Sequence, residues 1–266
     1  MSADGKKNII GILVDPVERV AAAEQIVESA RQRRPFAVSA LAVHGVMTGS
    51  LDPIHQYRLN QLDLVVADGQ PVRWALHLLH GIRLSARVYG PDLMFDVLRR
   101  AAQEKLSVFF YGSTPEVLEL LCQKVRQLIP DVAIAGVQAS AFGQVTPQSA
   151  NEIAETIRQS GAQIVFTGLG CPRQEVWAFE FRHRVGVPIV AVGAAFPLLA
   201  GKLRQAPRWM QDSGLEWLFR LCTEPRRLWR RYLLLSPAYV ALVLCEWVGF
   251  RFCADGRQPE SEVLYG

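Results

Sequence analysis

A chain of 266 residues, half of them apolar and 20% charged, has enough hydrophobic material for a buried core and too little charge for general disorder, so one large α/β domain, or one domain with an appendage, is the expected scale. Its five cysteines, Cys122, Cys171, Cys222, Cys245 and Cys253, are odd in number and lack Cys-x-x-Cys spacing, which argues against a disulfide framework or a zinc site and for a reducing compartment. The formal charge of +4 is held unevenly: between Lys202 and Arg231 eight basic residues stand against three acidic ones, so the rest of the chain is close to neutral.

Lys6 and Lys7 precede an apolar run that Asp15 and Pro16 interrupt too soon for a signal peptide, so residues 9–14 read as a first strand. Residues 17–33 carry apolar side chains at helical spacing, with Asp15 as the cap and Pro16 at the first helical position. The run PFAVSALAVHG reads as a second strand ending near His44, and residues 45–63 as loop and helix. LVVA, an Asp-Gly turn at Asp68 and a helix follow. A helix over 92–105, the strand SVFFY ending in Gly112, Ser113 and Thr114, and a helix opened by Pro115 repeat the alternation. VAIAGVQAS, IVFTGLG and PIVAVGAAF supply further strands, with ANEIAETIRQSG and RQEVWAFEFRHRV as helices between them. Strands alternating with helices of this length predict a doubly wound, mostly parallel sheet covered on both faces.

Beyond a core of residues 1–199 the character changes. Residues 200–252 are basic and aromatic without a strand signal, and read as a helical appendage. Ser236 and Pro237 suggest the start of an apolar helix ending at Phe252, 16 residues or roughly 24 Å, short of a hydrocarbon core of about 30 Å. Flanking arginines and tryptophans favour a helix lying in the membrane interface. The competing reading is a buried helix packed on the core or on a second copy of the chain. Residues 253–266 read as a frayed tail.

Residues 164–175, IVFTGLGCPRQE, mark the first place to look for a site, because ligands of open parallel sheets bind where strands end and helices begin. Gly168 and Gly170 would expose backbone N–H groups to an anion there, or simply make a turn. Arg173, Gln174 and Glu175 open the next helix. Gly112, Ser113 and Thr114 form a second such mouth. Arg87 and Asp92 bracket Tyr-Gly-Pro as cleft contacts or as a surface ion pair. Arg220, Arg227 and Arg230 share one face if the helix continues through Pro225, although a solvated basic face is the ordinary explanation for such a row. His77 and His80 lie three apart with no third ligand nearby, so no metal is expected at them.

Taken in order, VVADGQPV, RVYGPDLM, FFYGST, FTGLGCPRQEVW, VGAAFPLLAGKLRQAPRWMQ and GLEWLFRLCTEPRRLWRRYL resemble the WecG/TagA/CpsF family of bacterial glycosyltransferases over roughly residues 8–233. The resemblance implies a Rossmann-like core with a membrane-associating appendage, at the cytoplasmic face of the bacterial inner membrane. It also implies an inverting, metal-independent transfer, with no cofactor, from a UDP-sugar to a sugar on a polyprenyl diphosphate, in exopolysaccharide or other surface-polysaccharide synthesis. By that resemblance Asp68 is the general base, Gln174 lies at the sugar-nucleotide site, and Arg220, Arg227 and Arg230 close over the diphosphate. The physical demands agree: inversion needs one carboxylate to take the acceptor's proton, and a leaving diphosphate without a metal needs arginines.

Two departures from the family pattern bear on the donor. Ser39, Ala40 and Leu41, followed by Val43 and His44, replace the usual Thr-x-Asn, and Phe196, Pro197 and Leu198 replace Phe-Asp-Phe. Ser39 keeps a hydroxyl, Leu41 cannot bond a sugar, and His44 could compensate as hydrogen-bond donor or second base, or be a satisfied strand-end histidine. The donor is therefore left as a hexose, hexuronic acid or N-acetylhexosamine. A nucleotide-dependent oxidoreductase would need Gly-x-Gly-x-x-Gly after the first strand, which is missing here. An inactive membrane-associated scaffold would use the arginine block alone. Nucleic acid is not an expected partner, because the basic residues collect beside an apolar anchor.

Overall fold

The structure, a computed structural model, describes residues 5–266 apart from the side chains of Arg208 and Asp212. The first apolar run is not one strand but two, β1 (Lys7–Ile9) and β2 (Ile12–Val14), paired antiparallel. Ile10 and Gly11, at φ 52° and 82°, make the two-residue left-handed turn whose twist suits a hairpin. Asp15 does not cap a helix. Its N–H donates to the Val65 carbonyl at 2.7 Å and its carboxylate accepts from the Val65 N–H at 2.8 Å, so it fastens the hairpin beside the main sheet. The first helix, α1 (Arg19–Arg31), starts later, after Glu18.

There follow β3 (Phe36–Leu41), α2 (Val43–Leu51), α3 (Pro53–Asn60), β4 (Leu64–Ala67), α4 (Gln70–His80), α5 (Gly90–Gln103), β5 (Ser107–Tyr111), α6 (Pro115–Leu128) and β6 (Ala133–Gln138). The chain continues through α7 (Pro147–Gln159), β7 (Ile164–Thr167), α8 (Arg173–Val185), β8 (Pro188–Ala191) and α9 (Ala195–Leu199). The second strand stops at Leu41, three residues before His44, which sits instead on α2. Asp52 explains why α3 begins where it does: its side chain accepts from the N–H groups of Ile54 and His55, with Pro53 in the first turn.

The main sheet has the strand order β4-β3-β8-β7-β5-β6, and every neighbouring pair is parallel. Its strands are apolar on both faces. Ala37, Val65, Phe109, Val165 and Ile189 join one core with α4, α7 and α8, while Val38, Val66, Phe110, Phe166 and Val190 join the other with α1, α5 and α6. This two-sided burial explains the near-continuous apolar runs of the sequence. The chain leaves β5 toward β6 and leaves β7 in the opposite direction toward β8, so a crevice opens at the carboxyl ends of these adjacent strands.

The appendage holds α10 (Arg208–Asp212), α11 (Glu216–Thr223), α12 (Pro225–Arg230) and α13 (Ser236–Trp247), with a π-helical turn from Arg231 to Leu235 joining the last two. The helix expected to start at Ser236 therefore runs without a break from Pro225 to Trp247, 23 residues or about 34 Å, long enough to cross a membrane by length and composition. Arg226, Arg227, Arg230 and Arg231 occupy its first half. Its second half docks on the body: Tyr239 and Val243 are buried, the Tyr239 hydroxyl donates to the Pro71 carbonyl at 3.2 Å, and Glu246 accepts from the Ile10 N–H at 2.8 Å. The residues expected to fray also lie along the body. Leu264 is buried, its carbonyl accepts from the Val145 N–H at 2.9 Å, and Tyr265 bridges to Gln144.

Behind the crevice Tyr111, Trp177 and Phe181 form a continuous stack, each adjacent pair of rings 4.5 Å apart. All three are fully buried. Phe181→Ala is expected to cost about 3–5 kcal/mol, read as a lowered midpoint in urea unfolding with an unchanged slope.

Candidate active site

A cavity of about 680 Å³ lies over the carboxyl ends of the strands, roofed by the appendage. Among the residues singled out from sequence, Asp68, His44, Ser113, Gly168, Gly170, Gln174, Glu175, Arg220, Arg227 and Arg230 line it. The three arginines do not share one helix, because Glu224 at φ −134° and ψ 55° breaks the chain between α11 and α12. They nevertheless converge on the cavity, joined by Arg231 from the π-helical turn. Arg231 continues the same basic row and falls within the stretch GLEWLFRLCTEPRRLWRRYL.

Asp68 follows β4, where its Oδ1 accepts from the Gly90 N–H at 3.0 Å. Burial pushes its pKa up to about 6; the Arg87 guanidinium, the Gly90 N–H and Arg220 oppose the rise, and the Glu216 carboxylate adds to it. Arg87 is turned toward Glu216 of α11, at 2.5 Å, and lies 4.1 Å over the Tyr89 ring. The Tyr89 hydroxyl donates to the other Glu216 oxygen at 3.1 Å. Glu216, to which the sequence assigns no role, thus latches the roof to the core beside Asp68. Asp92 pairs with Arg19 at 2.8 Å and Arg87 with Glu216, so the two do not form with each other the surface ion pair that is one of the readings open for them.

The glycine turn is built differently from expectation. The Gly168 N–H donates to the Tyr111 carbonyl at 3.0 Å, and the Gly170 N–H to Oε1 of Gln174 at 3.2 Å. These two groups are therefore already engaged. Gly168 is required for close approach, since a Cβ there would stand 2.6 Å from the Phe196 ring; of the two glycines only Gly170 has positive φ. At the second mouth the Gly112 N–H donates to the Gln138 carbonyl, and the Thr114 hydroxyl caps α6 by accepting from the Val117 N–H. Only Ser113 of that trio lines the cavity, at a left-handed φ of 63°.

Beneath Gln174 lies a buried polar cluster. Gln174 Nε2 and Ser39 Oγ both donate to Oε1 of Glu175, at 2.8 and 3.2 Å. Ser39 is fully buried and so positions Glu175 rather than lining the cavity. Arg173 turns away to donate to the Phe142 carbonyl at 3.0 Å, holding a loop whose Phe142 ring borders the cavity. Burial and the nearby Arg231 push His44 down to about 4, so it is neutral at pH 7, fit to hydrogen-bond and a weak base. His77 accepts from Arg83 Nε, and His80 bonds the Asn8 carbonyl; both are spent on structure. At the floor Cys171 and Glu175, which line the cavity, and the buried His55 beside them bring donor atoms within 4.8 Å of one another. Sequence gave no warning of that group, whose members lie on α3, in the turn and on α8.

A parallel α/β core whose strand ends carry a carboxylate of raised pKa, facing arginines across a cavity, suits transfer of a group from a phosphorylated leaving group. A sequence model of the "Glycosyl transferase WecG/TagA/CpsF family" matches residues 7–252. Over 194 residues, 73% of this chain and 72% of the relative, the sequence is 34% identical to an N-acetylglucosaminyldiphosphoundecaprenol N-acetyl-beta-D-mannosaminyltransferase of Bacillus spizizenii. A Bacillus subtilis protein of the same name is 30% identical over 189 residues, 71% of each chain. The molecule is thus a glycosyltransferase. It belongs to the WecG/TagA/CpsF family.

If Asp68 takes the proton, its working form is the carboxylate and activity is expected to fall as pH drops through about 6. Because Glu216 raises this pKa and Arg87 lowers it, Glu216→Gln should move the acid limb to lower pH and Arg87→Gln to higher pH, measured as log(kcat/KM) against pH.

Proposed function

We propose that this chain transfers a hexose, hexuronic acid or N-acetylhexosamine from a UDP-sugar, with inversion, to a sugar carried on polyprenyl diphosphate at the cytoplasmic face of the bacterial inner membrane. The observation that carries the reading is the opposition of Asp68 to Arg220, Arg227, Arg230 and Arg231 across one cavity. Asp68 takes the proton from the acceptor hydroxyl as that oxygen attacks the anomeric carbon. UDP departs on the opposite side of that carbon, and the arginines meet its charge without a metal at the diphosphate. Gln174, fixed by Gly170 and Glu175, faces the donor sugar. The relatives' names specify N-acetylmannosaminyl transfer to N-acetylglucosaminyldiphosphoundecaprenol; the polyprenyl-linked acceptor is carried over and the donor sugar is not, given Leu41 and Pro197 at the departures from the family pattern.

The acceptor's lipid sets the place of work. Leu233, Val240, Leu244 and Trp247 are exposed along the helix that carries the arginines, and Val248 and Phe250 just beyond its end, which supports a peripheral seat on an anionic surface. Binding to vesicles containing phosphatidylglycerol should be lost or strongly weakened in the double variant Leu244→Glu, Trp247→Glu. It should persist in Asp68→Asn, as read by co-sedimentation.

Radiolabel transfer from a panel of UDP-sugars, including UDP-glucose, UDP-glucuronate and UDP-N-acetylmannosamine, onto extracted lipid-linked acceptors tests the reaction. One donor should be used, with Asp68→Asn slower by roughly a hundred- to ten-thousandfold. Transfer undiminished in that variant would remove Asp68 from the mechanism, and no transfer with no UDP binding would favour the scaffold reading.

A further inference from the structure

The His55, Cys171 and Glu175 group is unlike the rest of the polar interior. His55 and Glu175 are 3% and 1% exposed, yet among the described residues both ring nitrogens of His55 and the Oε2 atom of Glu175 have no hydrogen-bond partner. Buried polar atoms are almost always paired, so these orphans require an explanation, and one donor atom from each of His55, Cys171 and Glu175 lies within 4.8 Å of the other two. The partners that Glu175 does have are arranged on one side: Ser39 Oγ and Gln174 Nε2 both go to Oε1 and leave Oε2 directed elsewhere. Asp52 fixes the backbone of His55 at the start of α3. The Cys171 thiol contacts Glu175 and the Thr48 hydroxyl.

We propose that His55, Cys171 and Glu175 form a binding site for a divalent transition-metal ion, Zn²⁺ by preference, at the floor of the cavity. A thiolate, an imidazole and a carboxylate are the donor types zinc takes, and their softness selects against Mg²⁺ and Ca²⁺. In a tetrahedral zinc site such donors stand roughly 3.3–3.8 Å apart, so the group, with all atoms already within 4.8 Å, needs only a small contraction. Charge balances as well. One thiolate and one carboxylate neutralise the ion in a place where net charge would be costly. The ion displaces the thiol proton, which passes to solvent, and converts the orphaned Oε2 and one imidazole nitrogen into ligands. Ser39 and Gln174 then act as the outer partners that orient a metal-bound carboxylate.

The site would pin α3 to the turn of residues 168–175, and through Glu175 it would hold Gln174. The arginines of the roof still carry the diphosphate, so the metal is a positioning element and does not depend on which sugar is transferred. Its ligands lie at 55, 171 and 175, a spacing in which Cys-x-x-Cys arithmetic has nothing to find.

The test uses the full chain, equilibrated with Co²⁺ and freed of excess by gel filtration. The expected result is one bound equivalent by elemental mass spectrometry, with a thiolate-to-cobalt charge-transfer band that disappears in Cys171→Ser. His55→Gln should bind at least about tenfold more weakly. Cys122→Ser and Asp68→Asn should keep the band, and so should the double variant Cys222→Ser, Cys253→Ser, which removes the exposed thiols. Zn²⁺ should raise the Tm of the parent protein and leave that of Cys171→Ser unchanged, with near-UV circular dichroism verifying that each variant is folded. Absence of bound cobalt, or a band that survives Cys171→Ser and vanishes with the exposed cysteines, would overturn the assignment. Loss of the fold in Cys171→Ser transfers the decision to His55→Gln, where unchanged affinity overturns it.

Discussion

The constraint on which everything here depends is the burial of a parallel sheet on both faces. Side chains along β5, β7 and β8 are committed to one of two dry cores, so reactive groups have room only where the strands stop. The opposite exits from β5 and β7 turn that edge into a crevice, and Asp68 at the end of β4 borders the same space. Ser39 and Thr167 are polar exceptions within the strands, both fully buried on the face that α8 covers. Ser39 shows the purpose of such an exception: it reaches Glu175, which in turn holds Gln174.

The roof solves a second problem, that of concentrating positive charge without scattering it into solvent. Arg220 comes from α11 and Arg227, Arg230 and Arg231 from the helix beyond the break, and the bend at Glu224 lets both segments face one cavity. A π-helical turn at Arg231 adds one residue to the local repeat and is a recurrent device at functional sites. The latch between Glu216 and Arg87 then couples the roof to Asp68, because the same guanidinium that secures α11 also tempers the Asp68 carboxyl.

What could be read from the sequence was what local rules govern. Alternating strands and helices, the Asp-Gly turn and the glycine turn before Arg173 follow from periodicity and turn chemistry, and they located the crevice. Local rules failed where a partner distant in sequence decided the outcome. Asp15 had the look of a helix cap, but the backbone of Val65 claimed it. The run through Ile10 gave no sign of a turn, because isoleucine rarely takes positive φ and here does so only with Gly11 beside it. Arg173, Thr114 and Gly112 were plausible ligands by position, and each is engaged by a neighbouring loop, cap or strand. Glu216 sat in a stretch shared with the family but had no role assigned, and His55 carried no local signal, since the importance of both lies in what the fold brings beside them.

The docking of α13 and the residues after it has a consequence for the order of assembly. Asn8 donates its side-chain amide to the Phe252 carbonyl, and the Ile10 N–H is satisfied by Glu246, contacts that span 244 and 236 residues. On a ribosome the opening hairpin emerges long before those partners exist. Closing so long a loop is entropically slow, and native contacts of such separation form late. The hairpin can seat beside β4 and α4 before then, through Asp15 and its apolar side chains, whereas the docking of α13 on the hairpin waits for the later part of the chain. The half of the helix that presents arginines to the cavity is continuous with the half that waits for this event, so the roof over the active site is completed only as the two distant segments of the chain meet.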